Sequence, residues 1–148
     1  HGGWSALRAR AMESLPSFGL DGYEHRYPHE LSGGMRQRAA FLRTALCPAE
    51  ILLLDEPFAS LDVITREDLQ DWLLQMRRQL RRTVVLVTHD MDEAIYLSDR
   101  VLVLGGRPAE IRLERVIEAP LRDRAWLFAQ GELRQSLYAA LKESRYDL

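Results

Sequence analysis

The sequence predicts an α/β fold, a mostly parallel sheet with flanking helices, and three observations carry that reading. Compact apolar runs at 51–54, 84–87 and 101–104 have the length and branching of strands buried on both faces. Segments with apolar residues at helical spacing separate them, and strands alternating with helices imply parallel neighbours joined by right-handed crossovers. The first two runs end abruptly in polar clusters, Asp55-Glu56-Pro57 and Thr88-His89-Asp90, at the strand ends where open α/β sheets place their sites. Composition agrees. The chain has 148 residues, 47% hydrophobic and 28% charged with net charge -2, which excludes a disordered tail or a basic nucleic-acid arm. The single cysteine, Cys47, cannot form an internal disulfide and reads as a small buried residue in a protein of a reducing compartment. Apolar runs of about four residues are far short of the roughly 20 needed to span a bilayer. The first residue is His1 rather than Met, so the chain is expected to begin inside a longer reading frame or to have been processed.

Taken in order, residues 6–15 form a polar helical stretch that gives way to a loop marked by Pro16, Gly19, Gly22 and Pro28. Met35, Ala39, Leu42 and Leu46 recur at helical spacing over 34–46, and Pro48 ends that helix. After the strand at 51–54, Leu69, Trp72, Leu73, Met76 and Leu80 share one face of a helix that starts near Thr65. It closes in the basic cluster Arg77, Arg78, Arg81 and Arg82, which suits the negative end of the helix dipole. Asp90 is placed to cap a short helix over 91–97. Gly105-Gly106 closes the strand at 101–104, a weak strand signal covers 111–117, and a further helix is expected over 133–142.

Three elements carry chemistry. Ser32-Gly33-Gly34 stands immediately before a helix, where unobstructed N–H groups and the positive helix end can meet an anion; in isolation the same tripeptide is an ordinary serine cap with two flexible glycines. Adjacent carboxylates at a strand end, Asp55 and Glu56, are the arrangement by which nucleotide hydrolases hold a magnesium ion and polarise water. His89, at the end of the next strand, can reach a phosphate on the same sheet edge, although a histidine there would by itself be structural. His25 and His29 are four apart, but Pro28 breaks the helix that would align them on a metal.

Together these elements resemble the motifs of ABC-type ATPases. Leu31-Ser32-Gly33-Gly34-Met35-Arg36-Gln37-Arg38 is similar to the family's signature motif, Ile51-Leu52-Leu53-Leu54-Asp55-Glu56-Pro57 to its Walker B segment, Ser60-Leu61-Asp62 to its D-loop and Thr88-His89-Asp90 to its switch histidine. The resemblance implies two protomers sharing composite sites for ATP and Mg²⁺. Asp55 would hold Mg²⁺ largely through water, Glu56 would be the general base and His89 would contact the γ-phosphate. Ser32, Gly33, Gly34 and Met35 would face ATP bound to the partner, and Asp62 would lie at the dimer interface. Met35 departs from the commonest glutamine and resembles importer ATPases for nitrate, taurine and sulfonates, as do residues 92–100 and Arg107-Pro108.

What the resemblance does not find is as informative. A P-loop lysine is needed to reach the β and γ phosphates, but Lys142 is the only lysine, and no glutamine precedes Gln37 to serve as a Q-loop. The implied architecture is therefore a partial P-loop NTPase fold of the ABC type, lacking the N-terminal P-loop strand and part of the helical subdomain. Within one partial domain over 1–148, residues 1–47 would end the helical subdomain, 48–106 would run from Walker B to the switch histidine, and 107–148 would be a C-terminal extension. The family's sheet order puts the absent strand between the runs at 84–87 and 101–104, so the isolated chain is expected to associate through unpaired strands. The implied function is the ATP-hydrolysing subunit of an importer, peripheral on the cytoplasmic face of the membrane. Its partners would be a second ATPase subunit, a permease and, indirectly, a solute-binding protein, with no nucleic acid. Alternatives are a soluble ABC ATPase acting on DNA or ribosomes and a non-catalytic remnant.

Overall fold

The computed structural model describes residues 2–146. The chain divides into two compact units, His1–Val85 and Leu86–Leu148.

In the first unit, helix α1 (Gly2–Ser14) is followed by short 3₁₀ turns at Pro16–Phe18 and Pro28–Glu30, the positions of two of the breaker prolines. Helix α2 (Gly33–Leu46), strand β1 (Ile51–Asp55) and helix α3 (Val63–Leu80) lie where the apolar spacing predicts them. Strand β2 (Thr83–Val87) pairs with β1. The Thr83 N–H donates to the Glu50 carbonyl at 3.2 Å, so the two strands start side by side and run parallel, with α3 as the crossover. Leu52 and Leu54 point inward against Phe41 of α2 and Leu73 of α3, beside an apolar cluster in which Trp72 packs edge-on against Phe18 and tilted against Phe41.

One expectation fails here. β1 is buried on one face only: Ile51 is 61% and Leu53 65% exposed, and Val85 and Val87 of β2 are exposed as well. The reason is that the apolar side chains of α2 and α3, Phe41, Trp72 and Leu73, gather on the Leu52–Leu54 side of the strand. Cys47 also departs from its reading. It is exposed, because it forms the C-cap of α2 just before Pro48 rather than the last buried turn. Arg82, from the basic cluster, donates to the Ala45 and Cys47 carbonyls at 2.9 Å each and so closes the end of α2.

The second unit carries helix α4 (Met91–Leu97), strand β3 (Arg100–Gly105), strand β4 (Glu110–Val116), helix α5 (Arg124–Phe128) and helix α6 (Gly131–Tyr146). β3 and β4 form an antiparallel hairpin with a bulge between Val103 and Leu104, so this pair, unlike β1 and β2, is not parallel. Val101 and Val103 are buried while Leu102 and Leu104 are exposed, and α6 packs on the hairpin and on α4. Arg122 fastens this unit. Its buried guanidinium donates to the carbonyls of Tyr96, Ser98 and Ile117 and to the Asp99 carboxylate at 2.8–3.2 Å. Spacing predicts neither the short α5 nor the two 3₁₀ turns.

Candidate functional site

In the first unit, Ser32 is the N-cap of α2. Its backbone is extended and its Oγ accepts the Met35 N–H at 3.2 Å, the geometry that stops a helix starting earlier. Gly33 and Gly34 then allow a close approach. A Cβ on Gly34 would lie 3.0 Å from Thr65 Cγ2, and one on Gly33 3.4 Å from Leu61 Cδ2. The Ser32-Gly33-Gly34 turn is thus packed directly on the Ser60-Leu61-Asp62 turn and the start of α3. Asp62 caps α3 in the same manner, its Oδ1 accepting the Thr65 N–H at 3.0 Å. That backbone hydrogen bond, followed by one from the Thr65 hydroxyl, lowers the Asp62 carboxyl below its ordinary range. Two guanidinium groups brace the turns: Arg36 donates to the Leu31 carbonyl at 2.6 Å and Arg66 to the Leu61 carbonyl at 3.0 Å. Two N-termini of long helices therefore sit together, with exposed Val63 and Ile64 beside them.

The acidic pair leads into the same turn. Asp55 is the exposed last residue of β1, and Glu56 comes next in the left-handed region at φ 44. For a residue other than glycine that conformation costs about 1–2 kcal/mol and persists only where the surroundings enforce it. Phe58 enforces it here: its side chain is fully buried against Phe41, and the Ala59 N–H to Glu56 carbonyl bond closes the turn. Burying such a ring contributes about 1.5–3 kcal/mol, enough to hold the strained residue before it. Glu56 itself is half-buried.

His89 belongs to the second unit. It is exposed and lies between Thr88 and Asp90, and Asp90 caps α4 as expected, with Oδ1 accepting the Asp92 and Glu93 N–H groups at 2.8 and 3.1 Å. Spacing gives no sign of Glu93, whose carboxylate is buried and accepts the Thr88 hydroxyl at 2.7 Å. It misses Thr65 too, which meets both Gly34 and Asp62. A threonine three residues after an aspartate is the one local signal that could have found it, since that is the spacing of a capping turn. No cluster of three or more potential metal ligands occurs among the described residues. A lone exposed carboxylate such as Asp55 suits a magnesium ion that keeps most of its waters and takes its other ligands from phosphate.

Comparison with known proteins defines the class first. The chain superimposes on a dimeric structure of a bacterial ABC transporter cassette with a TM-score of 0.57 at 32% identity, over 76% of this chain and 47% of that one. A component of an ABC transporter complex from Clostridium perfringens shares the fold, with a TM-score of 0.64 at 24% identity over 94% of this chain and 52% of that one. A family model described as ABC transporter matches residues 6–59. The chain belongs to the ABC ATPase family. Among individual relatives, an aliphatic sulfonates import ATP-binding protein of Bacillus thuringiensis is 52% identical over 76% of this chain and 44% of its own length. A similarly named protein of Xanthomonas axonopodis is 44% identical over 95% of this chain and 52% of its own length. A formylaminopyrimidine import ATP-binding protein of Halalkalibacterium halodurans is 55% identical over 62% of this chain and 36% of its own length. The chain thus spans about half, or less, of the length of these relatives.

Proposed function

We propose that this chain is the signature-to-switch portion of the ATP-hydrolysing subunit of an importer, a single partial ABC ATPase domain whose phosphate-binding lysine lies in other residues of a longer polypeptide. The observation that carries this reading is the packing of Ser32-Gly33-Gly34 on Ser60-Leu61-Asp62, downstream of a carboxylate pair in which Glu56 is held at positive φ. Bound ATP supplies the phosphoryl group and its Mg²⁺ the charge that neutralises the phosphates. Asp55 holds the hydrated cation. Glu56 orients the attacking water and takes its proton, a task suited to a half-buried carboxylate on a rigid turn. His89 donates a hydrogen bond to the terminal phosphate.

The Ser32 hydroxyl proton and the N–H groups of Gly33 and Gly34, with Met35 beside them, face nucleotide held by a second ATPase subunit, where the positive helix end favours phosphate. Asp62, on the adjoining turn, and the exposed Val63 and Ile64 meet that subunit. The exposed apolar positions of β1 and β2 suit burial under further chain, in keeping with relatives about twice as long. No helix among the described residues is long and apolar enough to cross a membrane. The names of the import relatives support the ATP-binding subunit of an importer. The motif resemblance adds a place on the cytoplasmic face, a permease to dock on and, indirectly, a solute-binding protein. The named sulfonate importers and Met35 support a place among the nitrate, sulfonate and taurine group of importer ATPases, a kinship of the ATPase rather than a choice of cargo.

The test is phosphate release. The full reading frame containing this chain is expected to hydrolyse ATP, and Glu56→Gln to lower the rate by at least about 100-fold, the usual contribution of a general base. The 148-residue chain alone is expected to show no turnover. Turnover by that chain, abolished by Glu56→Gln, would overturn the assignment of the phosphate cradle to other residues. Activity of the full frame insensitive to Glu56→Gln would overturn the role of the glutamate.

A further inference from the structure

The turn that carries His89 is closed by side chains in a way that helix capping does not require. Asp90 alone satisfies the start of α4, since its Oδ1 accepts two N–H groups. Beyond that, the Thr88 hydroxyl accepts the Asp90 N–H at 3.0 Å and donates its own proton to Glu93 Oε2 at 2.7 Å. Glu93 is only 5% exposed, in a helix whose other buried residues are Ile95, Tyr96 and Leu97. Burying a carboxylate is unfavourable unless it is hydrogen-bonded, and the Thr88 hydroxyl supplies such a bond from the turn that carries His89.

The bonds form a loop: Thr88 to the Glu93 side chain, Glu93 through its N–H to Asp90, and Asp90 through its N–H back to Thr88. His89 stands between two members of that loop, Thr88 and Asp90, and its side chain takes no part in those three bonds. The helix bearing Glu93 is itself anchored, by Asp92 to Arg134 of α6 at 2.7 Å and by Arg122 at its last carbonyls. Both neighbours of His89 are therefore fixed to a rigid body while the imidazole stays exposed.

We infer that Thr88 and Glu93 are positioning residues, a latch that sets where the His89 imidazole is presented. This rests on the phosphate-contacting role given to His89 above. The latch acts on the orientation of a group already present, so its loss lowers the rate of the chemical step and leaves nucleotide affinity alone.

The test uses the full reading frame. Thr88→Val removes the hydroxyl at nearly constant shape, Thr88→Ser keeps it, and Glu93→Asp draws the carboxylate back by one methylene. Thr88→Val is expected to lower kcat at least about tenfold with KM for ATP within about twofold, and Thr88→Ser to return kcat to within about twofold of the parent. Glu93→Asp should behave as Thr88→Val does, and carries the test if the valine variant does not fold. A serine variant as slow as the valine variant at equal melting temperature would overturn the latch, as would a valine variant with parental kcat.

A second readout is independent of hydrolysis. The His89 ring resonances, assigned by their loss in His89→Gln, should shift or broaden in Thr88→Val while those of His25 and His29 stay in place. Unchanged His89 resonances would overturn the proposal even if the protein hydrolyses no ATP, whereas a moved resonance in an inactive protein would sustain the latch and refute the ATPase reading.

Discussion

The acidic turns after β1 and after β2 do similar work by opposite means. At Glu56 the backbone is bent into the left-handed region, and it is held there by the buried ring of Phe58 two residues on. Around His89 the neighbouring Asp90 is extended, at φ -90 and ψ 118, and a loop of hydrogen bonds through Thr88, Asp90 and Glu93 fixes the position. One turn stores strain offset by hydrophobic burial; the other is unstrained and held by polar groups. A reactive side chain can thus be made rigid either by burying a residue just downstream of it or by tying its two neighbours together.

The sharpest way to break this comparison is Glu56→Gly. Glycine tolerates positive φ, so the variant should lose hydrolysis by at least about 100-fold in the full reading frame. In urea it should also be about 1 kcal/mol more stable than the parent, as relief of the backbone penalty requires. A less stable glycine variant would mean that the glutamate side chain, not the burial of Phe58, holds the turn. Next in size is the pair of helix caps. Asp90→Ala should cost about 1–2 kcal/mol and Asp62→Ala less, because the Asp90 cap is half-buried whereas that of Asp62 is exposed to water. Amide exchange over the first turns of α4 and α3 reads each loss, and equal effects would deny the second turn its extra polar support.

The smallest effect is one of pH. The Asp62 carboxyl lies below its ordinary range because Thr65 donates to its charged form. Its contribution to stability is therefore complete above the unfolded carboxylate pKa of about 3.9 and disappears as the pH falls through the lower folded value. Urea midpoints measured downward from pH 5 should converge for the parent and Asp62→Asn, and parallel curves would remove the carboxylate from the account.

Much of this is legible from residues alone. The helix and strand spacing locates α2, β1, α3, β2 and α4, because long apolar periodicity and cap residues act locally. The serine cap at 32 and the aspartate cap at 90 are visible for the same reason. What spacing cannot show depends on distant partners. The run at 51–54 has the composition of a strand covered on both sides, yet coverage is a property of whatever packs on it, and here only one side is packed. Cys47 is apolar enough to bury, but it falls at a helix end. Glu56 carries no glycine to announce its left-handed backbone, since the conformation is imposed by Phe58. Glu93 looks like any acidic residue in a first helical turn, and only the fold turns it back onto Thr88.

Arg122 bears on how the second unit comes apart. Its guanidinium, with side-chain exposure of 2%, gathers oxygens from the end of α4, from the turn before β3 and from the residue after β4. Those acceptors lie up to 26 residues away, so they converge only when the hairpin and helix have already docked. An interaction completed that late is expected to act on the unfolding barrier more than on the folding one. Arg122→Lys, lacking the planar fork of donors, should therefore speed unfolding while leaving the refolding rate nearly unchanged.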